Sequence, residues 1–424
     1  MLFRSHQQLL RSMDALMDNP EAVDGVIAGL LRPLVDHDLS MAFYDMTTLR
    51  AEGLSAMAGD VRKFGMAQEG LIARQFMLGV VQTAEGLPIY HEVVDGNTAE
   101  TKTLLPIVKK VMERFPNLRR LILVADRGLL SLDNLQALRA IRLGPDKREG
   151  QRQGSSQAKT QAQALEFILA VPGRRYHEFA DLLEPLQQQC AKASAEITGE
   201  VAWNELRLVV AHDPATALEQ HQKRKATMAE LQTQAKGWAG KLSESGTKAL
   251  FCHAVLEAHL GKIIKVDMKA ELFSYAIDEN ALRLAELMDG KLLLVTNVQD
   301  MAPDKVIERY KSLADIERGF KVLKSELEIG PVYHRLPERI RAHASICFMA
   351  LILHRVMRMR LRAGNTGITP ERALQSLQRI QHHRVSINGA PPLSGVSSMT
   401  TEQSEVLTAL KVKIPTHSQQ LSLL

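Results

Sequence analysis

Two acidic residues stand where carboxylates can hold metal ions. Asp45 lies at the end of the apolar run 39–46, and Asp126 ends the run 120–126. Both runs predict buried strands, so each carboxylate is expected at the carboxyl end of a strand. Rigid strands hold oxygen ligands at a fixed separation, which suits hard divalent cations. An acid at a strand end also caps turns, and the residues alone leave both interpretations open.

A third acid, Glu317, lies in a segment whose pattern predicts one helix over about residues 303–327. Spacings of three and four residues would place a mostly polar and basic set on one stripe of that helix. The members of the stripe are Tyr310, Leu313, Glu317, Lys321 and Lys324. An ordinary solvated pair of Glu317 and Lys321 is the alternative interpretation.

The surrounding sequence predicts the strands and helices that must position these acids. Strand candidates at 39–46, 74–83 and 87–94 favour an antiparallel meander, and alternating helices and strands follow. A mixed segment then precedes the apolar run 291–297. We predict an α/β fold divided into an N-terminal helical segment (1–37), a core (38–172), an insertion with its own strands (173–289), the second part of the core (290–364) and a C-terminal helical tail (365–424).

Composition excludes several functional classes. The 424 residues hold 53 Lys and Arg against 48 Asp and Glu, and this net charge of +5 permits a polyanionic partner without requiring one. Aromatic residues make up only 4%, which argues against a single-strand binder built from stacking platforms. Three cysteines in no C-x-x-C spacing indicate neither disulfides nor a thiolate zinc site, and a reducing cytosol fits them.

A membrane partner is not expected from the sequence. The N-terminus lacks the apolar stretch of a secretory signal. The longest apolar run, 346–353, is shorter than the roughly 20 residues that span a bilayer. We therefore expect a protein of the cytoplasm.

The segment around Glu317 resembles insertion-sequence transposases of the DDE class, in the subgroup whose third acid lies in a Y-x₂-R-x₃-E-x₆-K signature. Tyr310, Glu317 and Lys324 fall on its Tyr, Glu and Lys. The likeness covers about residues 39–360 and includes the stretches FYDMTTL, VVDGNTAETKTL, LILVADRGLLS and IERYKSLADIERGFKVLKSELEIGPVYHRLPERIRAHASICFMALIL.

This resemblance implies a ribonuclease-H-like mixed sheet flanked by helices, interrupted by a mixed α+β, mainly β, insertion before the last catalytic helix. It implies that Asp45 bridges two Mg²⁺ or Mn²⁺ ions, with Asp126 completing one site and Glu317 the other. The implied activity is hydrolysis at transposon ends followed by 3′-hydroxyl strand transfer. Double-stranded DNA is the implied partner of a homodimer in the bacterial cytosol, at the nucleoid.

The same resemblance implies DNA contacts beside the scissile bond. Tyr310 and Lys324 would hold phosphates, and Lys321 lies on the same stripe. Arg127, directly after the second acid, is another candidate, although a salt bridge to Asp126 or Asp133 would explain it equally well. A basic loop with Lys147, Arg148, Arg152 and Lys159 is a further candidate, with a merely solvated loop as its alternative.

The chain departs from the subgroup pattern at two points. Leu313 stands where the signature has Arg, and Arg309 or Arg318 would have to supply the missing cation. Only 44 residues precede Asp45, whereas such transposases usually carry an upstream domain that recognises transposon ends. Two alternatives therefore remain: a shortened, non-catalytic derivative that dimerises with an active enzyme and inhibits it, and a different ribonuclease-H-like nuclease such as a junction resolvase.

Overall fold

The computed structural model describes residues 6–35, 41–53, 57–66, 72–116, 120–143, 164–238, 245–386 and 393–413. The predicted basic loop at 144–159 lies outside this range. The elements of the first part of the chain are α1 (His6–Asp18), α2 (Pro20–Val35), β1 (Met41–Arg50), β2 (Lys63–Met66), β3 (Ile72–Thr83), β4 (Pro88–Asp95), α3 (Leu104–Arg114), β5 (Ile122–Ala125), α4 (Leu132–Ala140) and β6 (Glu166–Ala170).

The second part of the chain is richer in helix. Its elements are α5 (Ala180–Lys192), β7 (Ile197–Trp203), β8 (Leu206–His212), α6 (Pro214–Lys236), α7 (Ser245–Glu257), β9 (Ile264–Val266), β10 (Tyr275–Ile277), α8 (Glu279–Met288), β11 (Lys291–Thr296), α9 (Pro303–Lys311), α10 (Ala314–Lys321), a π-helical turn (Val322–Glu326), α11 (Pro337–Ala363), α12 (Pro370–Leu377), β12 (His382–Val385), β13 (Leu393–Val396) and α13 (Thr401–Ala409).

Two compact units divide the chain. Unit 1 comprises residues 1–38, 43–98 and 314–424, and unit 2 comprises residues 39–42 and 99–313. In unit 1, β3 lies between β1 and β2 in the strand order, and β4 also pairs with β3. The β3–β4 pair is antiparallel, as the meander predicted, with Val80 opposite His91. Helix α11 covers this sheet, and its Phe348 ring stacks on His91 at 4.3 Å between ring centroids.

Unit 2 contains a mixed sheet in the order β5-β6-β11-β8-β7. Strands β5 and β6 are parallel, whereas β11 runs antiparallel to both β6 and β8. Helix α9 packs against β6 and β8. The prediction of an α/β fold with a mixed sheet flanked by helices is therefore confirmed.

Strand β1 is longer than predicted, and Asp45 does not lie at its end. The strand continues to Arg50 because Thr47 and Leu49 are buried in the alternating pattern of a pleated strand. Asp45 therefore lies in the middle of β1, with its side chain half-buried. The prediction for Asp126 is correct, since β5 ends at Ala125.

The predicted single helix over 303–327 is wrong. Helix α9 ends at Lys311, and α10 begins only at Ala314. Leu313 lies between them and is 7% exposed, so the apolar side chain packs inward where the chain leaves the helical path. The predicted stripe from Tyr310 to Lys324 assumed one continuous helix and does not exist in that form.

The segment 173–289 contributes to the sheet and also forms a core of its own. Its strands β7 and β8 extend the sheet beyond β11. A separate cluster around Phe251 and Phe273 packs between α6, α7 and the pair β9–β10. Trp238 lies edge-on to Phe273, with ring centroids 5.7 Å apart, and Trp203 packs on Phe179. Both tryptophan rings therefore pack against other aromatic side chains of the folded chain.

Helix α11 is the most apolar long helix of the described residues. By length and composition alone, α11 is able to cross a membrane. A single helix of this kind is weak evidence of a membrane span, because the core helix of a soluble protein passes the same test. Phe348 and Leu351 are 0% and 1% exposed, and α11 contacts α1, α12 and α13 besides β4. These buried residues of α11 therefore belong to the core of unit 1, whereas Leu353 is 70% exposed.

A buried ion pair holds distant parts of unit 1 together. Arg62 and Asp60 have side chains only 1% and 5% exposed, with Arg62 Nη2 2.9 Å from Asp60 Oδ2. The Arg62 guanidinium also donates to the carbonyl oxygens of Glu52, His334 and Arg335. One side chain thus connects the loop after β1 to the segment before α11.

We predict that Asp60→Asn destabilises unit 1 by about 3–5 kcal/mol, because it leaves a buried guanidinium without its counter-charge. Urea unfolding followed by circular dichroism measures the effect. The matched control is Glu52→Gln, which breaks the Arg50–Glu52 pair with side chains 60% and 39% exposed and should cost at most about 1 kcal/mol. Equal losses in the two variants would contradict the role given to Arg62.

Candidate functional site

Asp126 follows β5 directly and presents its carboxylate to Tyr310. Strand β5 is buried throughout, whereas Asp126 is half-buried. Its side chain makes no capping hydrogen bond to the short 3₁₀ helix Arg127–Leu129, although it occupies the N-cap position. Instead, the Tyr310 hydroxyl donates to Asp126 Oδ1 at 2.6 Å. The turn-capping alternative therefore does not explain this carboxylate.

Tyr310 belongs to α9 and is also half-buried. Burial raises the pKa of its phenol well above the ordinary value, and the hydrogen bond to the negatively charged Asp126 raises that pKa further. The phenol therefore stays protonated and acts as a donor at neutral pH.

Arg127 is exposed, and its positive charge acts on two tyrosines. Burial raises the pKa of both Tyr310 and Tyr176. The positive charge of Arg127 opposes this rise in each of them. Among the described residues Arg127 has no ion pair with Asp126 or Asp133, which the sequence left as an alternative. Its guanidinium is thus not neutralised by a neighbouring carboxylate.

Glu100 is a residue of this region that the sequence analysis did not single out. Burial raises the pKa of its carboxyl group, and the negative charge of Asp126 raises it further. The Glu100 carboxylate lies so close to Gly128 that a Cβ at position 128 would collide with it. A side chain at position 128 would therefore have to displace the Glu100 carboxylate. The only signal in the sequence is that Glu100 lies in the stretch VVDGNTAETKTL, which has no helical or strand periodicity that singles it out.

Asp45 and Glu317 belong to unit 1 and differ in their surroundings. Asp45 Oδ1 accepts a hydrogen bond from the amide of Met46 at 2.7 Å. Glu317 lies in α10 and is exposed. Within the described residues Glu317 forms no ion pair with Lys321, so the simple i,i+4 pair is not observed. Its carboxylate thus remains accessible to a ligand.

The cations near Glu317 have different roles. Lys321 is exposed at the end of α10, and Lys324 is half-buried in the π-helical turn. Arg318 is held by Asp315, with Arg318 Nη1 2.7 Å from Asp315 Oδ1. Arg309 is exposed at the other side of the helix break, in α9. Because Leu313 is buried, position 313 does not offer its side chain to a ligand.

Within one unit, the structure brings together only part of the predicted set. Asp126, Arg127 and Tyr310 meet in unit 2, whereas unit 1 carries Asp45 and Glu317. Their chemistry fits a hard cation, because ionised carboxylates are the ligands that Mg²⁺ and Mn²⁺ prefer. In the described part of the chain, Asp126 Oδ2 accepts no hydrogen bond, which leaves that oxygen available to an ion.

The contact between Tyr310 and Asp126 predicts a measurable coupling. Asp126→Asn should lower the pKa of Tyr310 toward its ordinary value, because the negative charge that disfavours the phenolate is removed. Ultraviolet difference titration of the phenolate band measures this change. The same Asp126→Asn change in a Tyr310→Phe background should leave the titration curve unaltered. An equal shift in that background would mean that another tyrosine responds to Asp126.

Comparisons with known proteins place these residues in a family. No curated protein sequence matches the chain. Among solved structures, the chain is similar to the piggyBac transposase in a synaptic complex with hairpin DNA, at 7% sequence identity and a TM-score of 0.36. That similarity covers 80% of this chain and 54% of the other, so the chain spans about half the length of that transposase. The sequence model of the transposase DDE domain matches residues 42–353, and the chain therefore belongs to the transposase DDE domain family.

Proposed function

We propose that the protein is a DNA transposase that hydrolyses phosphodiester bonds at the ends of a mobile element. The 3′ hydroxyl so released then attacks target DNA, which completes cut-and-paste transposition. The observation that carries this proposal is the family match over residues 42–353, because that range includes Asp45, Asp126 and Glu317. The Y-x₂-R-x₃-E-x₆-K subgroup is part of the proposal.

In this proposal the three acids hold two divalent ions, Mg²⁺ or Mn²⁺. Asp45, Asp126 and Glu317 would supply the carboxylate ligands of these ions, as the family resemblance implies. Two such ions together supply a deprotonated nucleophile and neutralise charge on the leaving oxygen. The available Oδ2 of Asp126 and the exposed carboxylate of Glu317 support these assignments.

Tyr310 orients Asp126 in the proposed site. The single proton of its hydroxyl is donated to Asp126 Oδ1. The same proton serves a DNA phosphate only when it leaves the carboxylate, so the two roles of Tyr310 exclude each other at any one moment. Because its pKa is raised, Tyr310 remains a donor in both roles.

The proposed DNA contacts come from a few cations beside the acids. Arg127 has no acidic partner among the described residues, and Lys321 is exposed, so both are available to phosphate oxygens. Lys324 acts as a point charge on the same backbone. The DNA-bound form in this proposal is a homodimer on double-stranded transposon ends and target DNA, in the bacterial cytosol and at the nucleoid.

We also retain the division into a ribonuclease-H-like core at 38–172 and 290–364 and an insertion at 173–289. The separate aromatic cluster around Phe251 and Phe273 supports an insertion with its own core. The pairing of β8 with β11 gives this insertion a firm attachment to the sheet of unit 2.

We predict that Asp126→Asn and Glu317→Gln each lower cleavage of labelled element-end DNA by at least about 100-fold. Changes in residues that only orient metal ligands already cost up to that factor. The assay follows cleavage with Mg²⁺, with EDTA as the metal-free reference, and circular dichroism checks the fold. Glu308→Gln is the matched control, since Glu308 is an exposed carboxylate of α9 that pairs with Lys305.

The products separate the proposal from its alternatives. Cleavage followed by strand joining supports transposition. Cleavage that persists without any one of the three acids would refute the catalytic assignment. Cleavage of branched DNA without joining would favour a resolvase, and DNA binding without cleavage would favour a non-catalytic inhibitor.

We predict that Lys324→Ala weakens binding of double-stranded DNA about equally for all sequences. It should reduce the slope of log K against log salt concentration by about 0.9, the value for one phosphate contact. Fluorescence anisotropy in an Asp126→Asn background measures binding without cleavage. Lys223→Ala, which removes an exposed cation of α6, should leave the slope unchanged. A slope that is the same in both variants would exclude a phosphate contact by Lys324.

A further inference from the structure

Three potential metal ligands converge in unit 1, on elements that follow Glu317 in the chain. Glu326 ends the π-helical turn, His354 lies in α11, and Glu371 lies in the first turn of α12. One ligand atom from each lies within 4.8 Å of the other two. Residues separated by up to 45 positions thus present nitrogen and oxygen atoms to a common point.

The distances within this group match those between ligands of one ion. His354 Nε2 lies 3.1 Å from Glu326 Oε2 and 3.2 Å from Glu371 Oε1. Ligands about 2.0–2.2 Å from a zinc ion are separated by about 3.3 to 3.6 Å in a tetrahedral site. A small displacement of the side chains therefore admits an ion between them.

Burial determines which atom of His354 is available. The His354 side chain is only 8% exposed, while Glu326 and Glu371 are 33% and 43% exposed. Its Nδ1 is buried and has no hydrogen-bond partner in the described residues. Only Nε2 faces polar groups, and it faces both carboxylates. The ring thus presents Nε2 to both carboxylates, whereas among the described residues Nδ1 lacks the acceptor that usually orients a metal-bound imidazole.

The carboxyl groups of Glu326 and Glu371 hydrogen-bond to each other, and both lie against His354 Nε2. They border an open cavity of about 420 Å³ that Arg358 and Arg362 also line. In the described part of the chain neither Glu326 nor Glu371 forms an ion pair or hydrogen bond with an arginine. A metal ion bound between the two carboxyl groups would replace the proton that they share.

We propose that Glu326, His354 and Glu371 bind one divalent transition-metal ion, with Zn²⁺ as the preferred ion. Imidazole nitrogen together with carboxylate oxygen favours Zn²⁺ over Mg²⁺, which prefers oxygen ligands alone. Three protein ligands leave the side toward the cavity open for water or an anion. The site is separate from the three acids of the proposed active site and does not depend on the proposed function.

Zinc titration of the full-length protein tests the site. The protein carries Asp126→Asn, which weakens the proposed catalytic site, and His382→Ala with His383→Ala, which removes the exposed histidine pair of β12. We expect one equivalent of Zn²⁺ to bind by calorimetry and to raise the melting temperature. Co²⁺ should produce a visible absorption band, whereas Mg²⁺ should not displace Zn²⁺.

In this background Glu371→Gln and His354→Gln should each weaken Zn²⁺ binding at least about tenfold and abolish the Co²⁺ band. Glu371 is partly exposed, so its variant tests the site even if a change at the buried His354 impairs folding. Glu405→Gln is the matched control on α13, with an exposed carboxylate, and should bind Zn²⁺ normally. Absence of Zn²⁺ binding, or binding that neither site variant weakens, would overturn the proposal.

Discussion

An acidic side chain at the end of a fully buried strand must find polar partners where the chain leaves the sheet, and this constraint governs Asp126. Strand β5 is apolar and buried along its whole length, so the first polar side chain appears where the chain leaves the sheet. A capping interaction would have used both the charge and the oxygens of Asp126 within its own turn. Instead, α9 supplies one donor, the Tyr310 hydroxyl, which holds Oδ1 of the carboxylate and leaves Oδ2 without a hydrogen bond among the described residues. Because α9 packs on β6 and β8, the position of that donor depends on the sheet of unit 2.

The sequence predicts this part of the molecule well because local patterns decide it. The apolar run before Asp126, the cap at Ser131 and the strand at 291–296 all follow from neighbouring residues. Asp45 was harder to place, because an acid at the middle of a strand interrupts the apolar run while the pleated alternation continues through Thr47 and Leu49. The length of the apolar run therefore predicted a strand that ends too early.

Other features could not be read from local patterns. The break between α9 and α10 depends on the burial of Leu313, and helical spacing alone continues smoothly through it. Glu100 gains its significance from its contact with Gly128 and from the charge of Asp126, which are tertiary effects. The group of Glu326, His354 and Glu371 combines three elements, and no spacing in the sequence relates them. The hairpin β12–β13 likewise appears within residues 365–424, for which the sequence predicted a helical tail.

Two consecutive residues of α11 act on the two ends of the segment that carries Glu317 and Lys324. Arg355 Nη2 donates to the carbonyl oxygen of Asp315 at 2.9 Å, at the start of α10. His354 faces Glu326, where the π-helical turn ends. Adjacent residues on a helix point about 100° apart. Arg355 and His354 can therefore contact the two ends of the segment from the same turn of α11. An ion shared by Glu326, His354 and Glu371 would fix its second end as firmly as Arg355 fixes the first. The orientation of Glu317 would then depend on α11 and α12 as well as on α10.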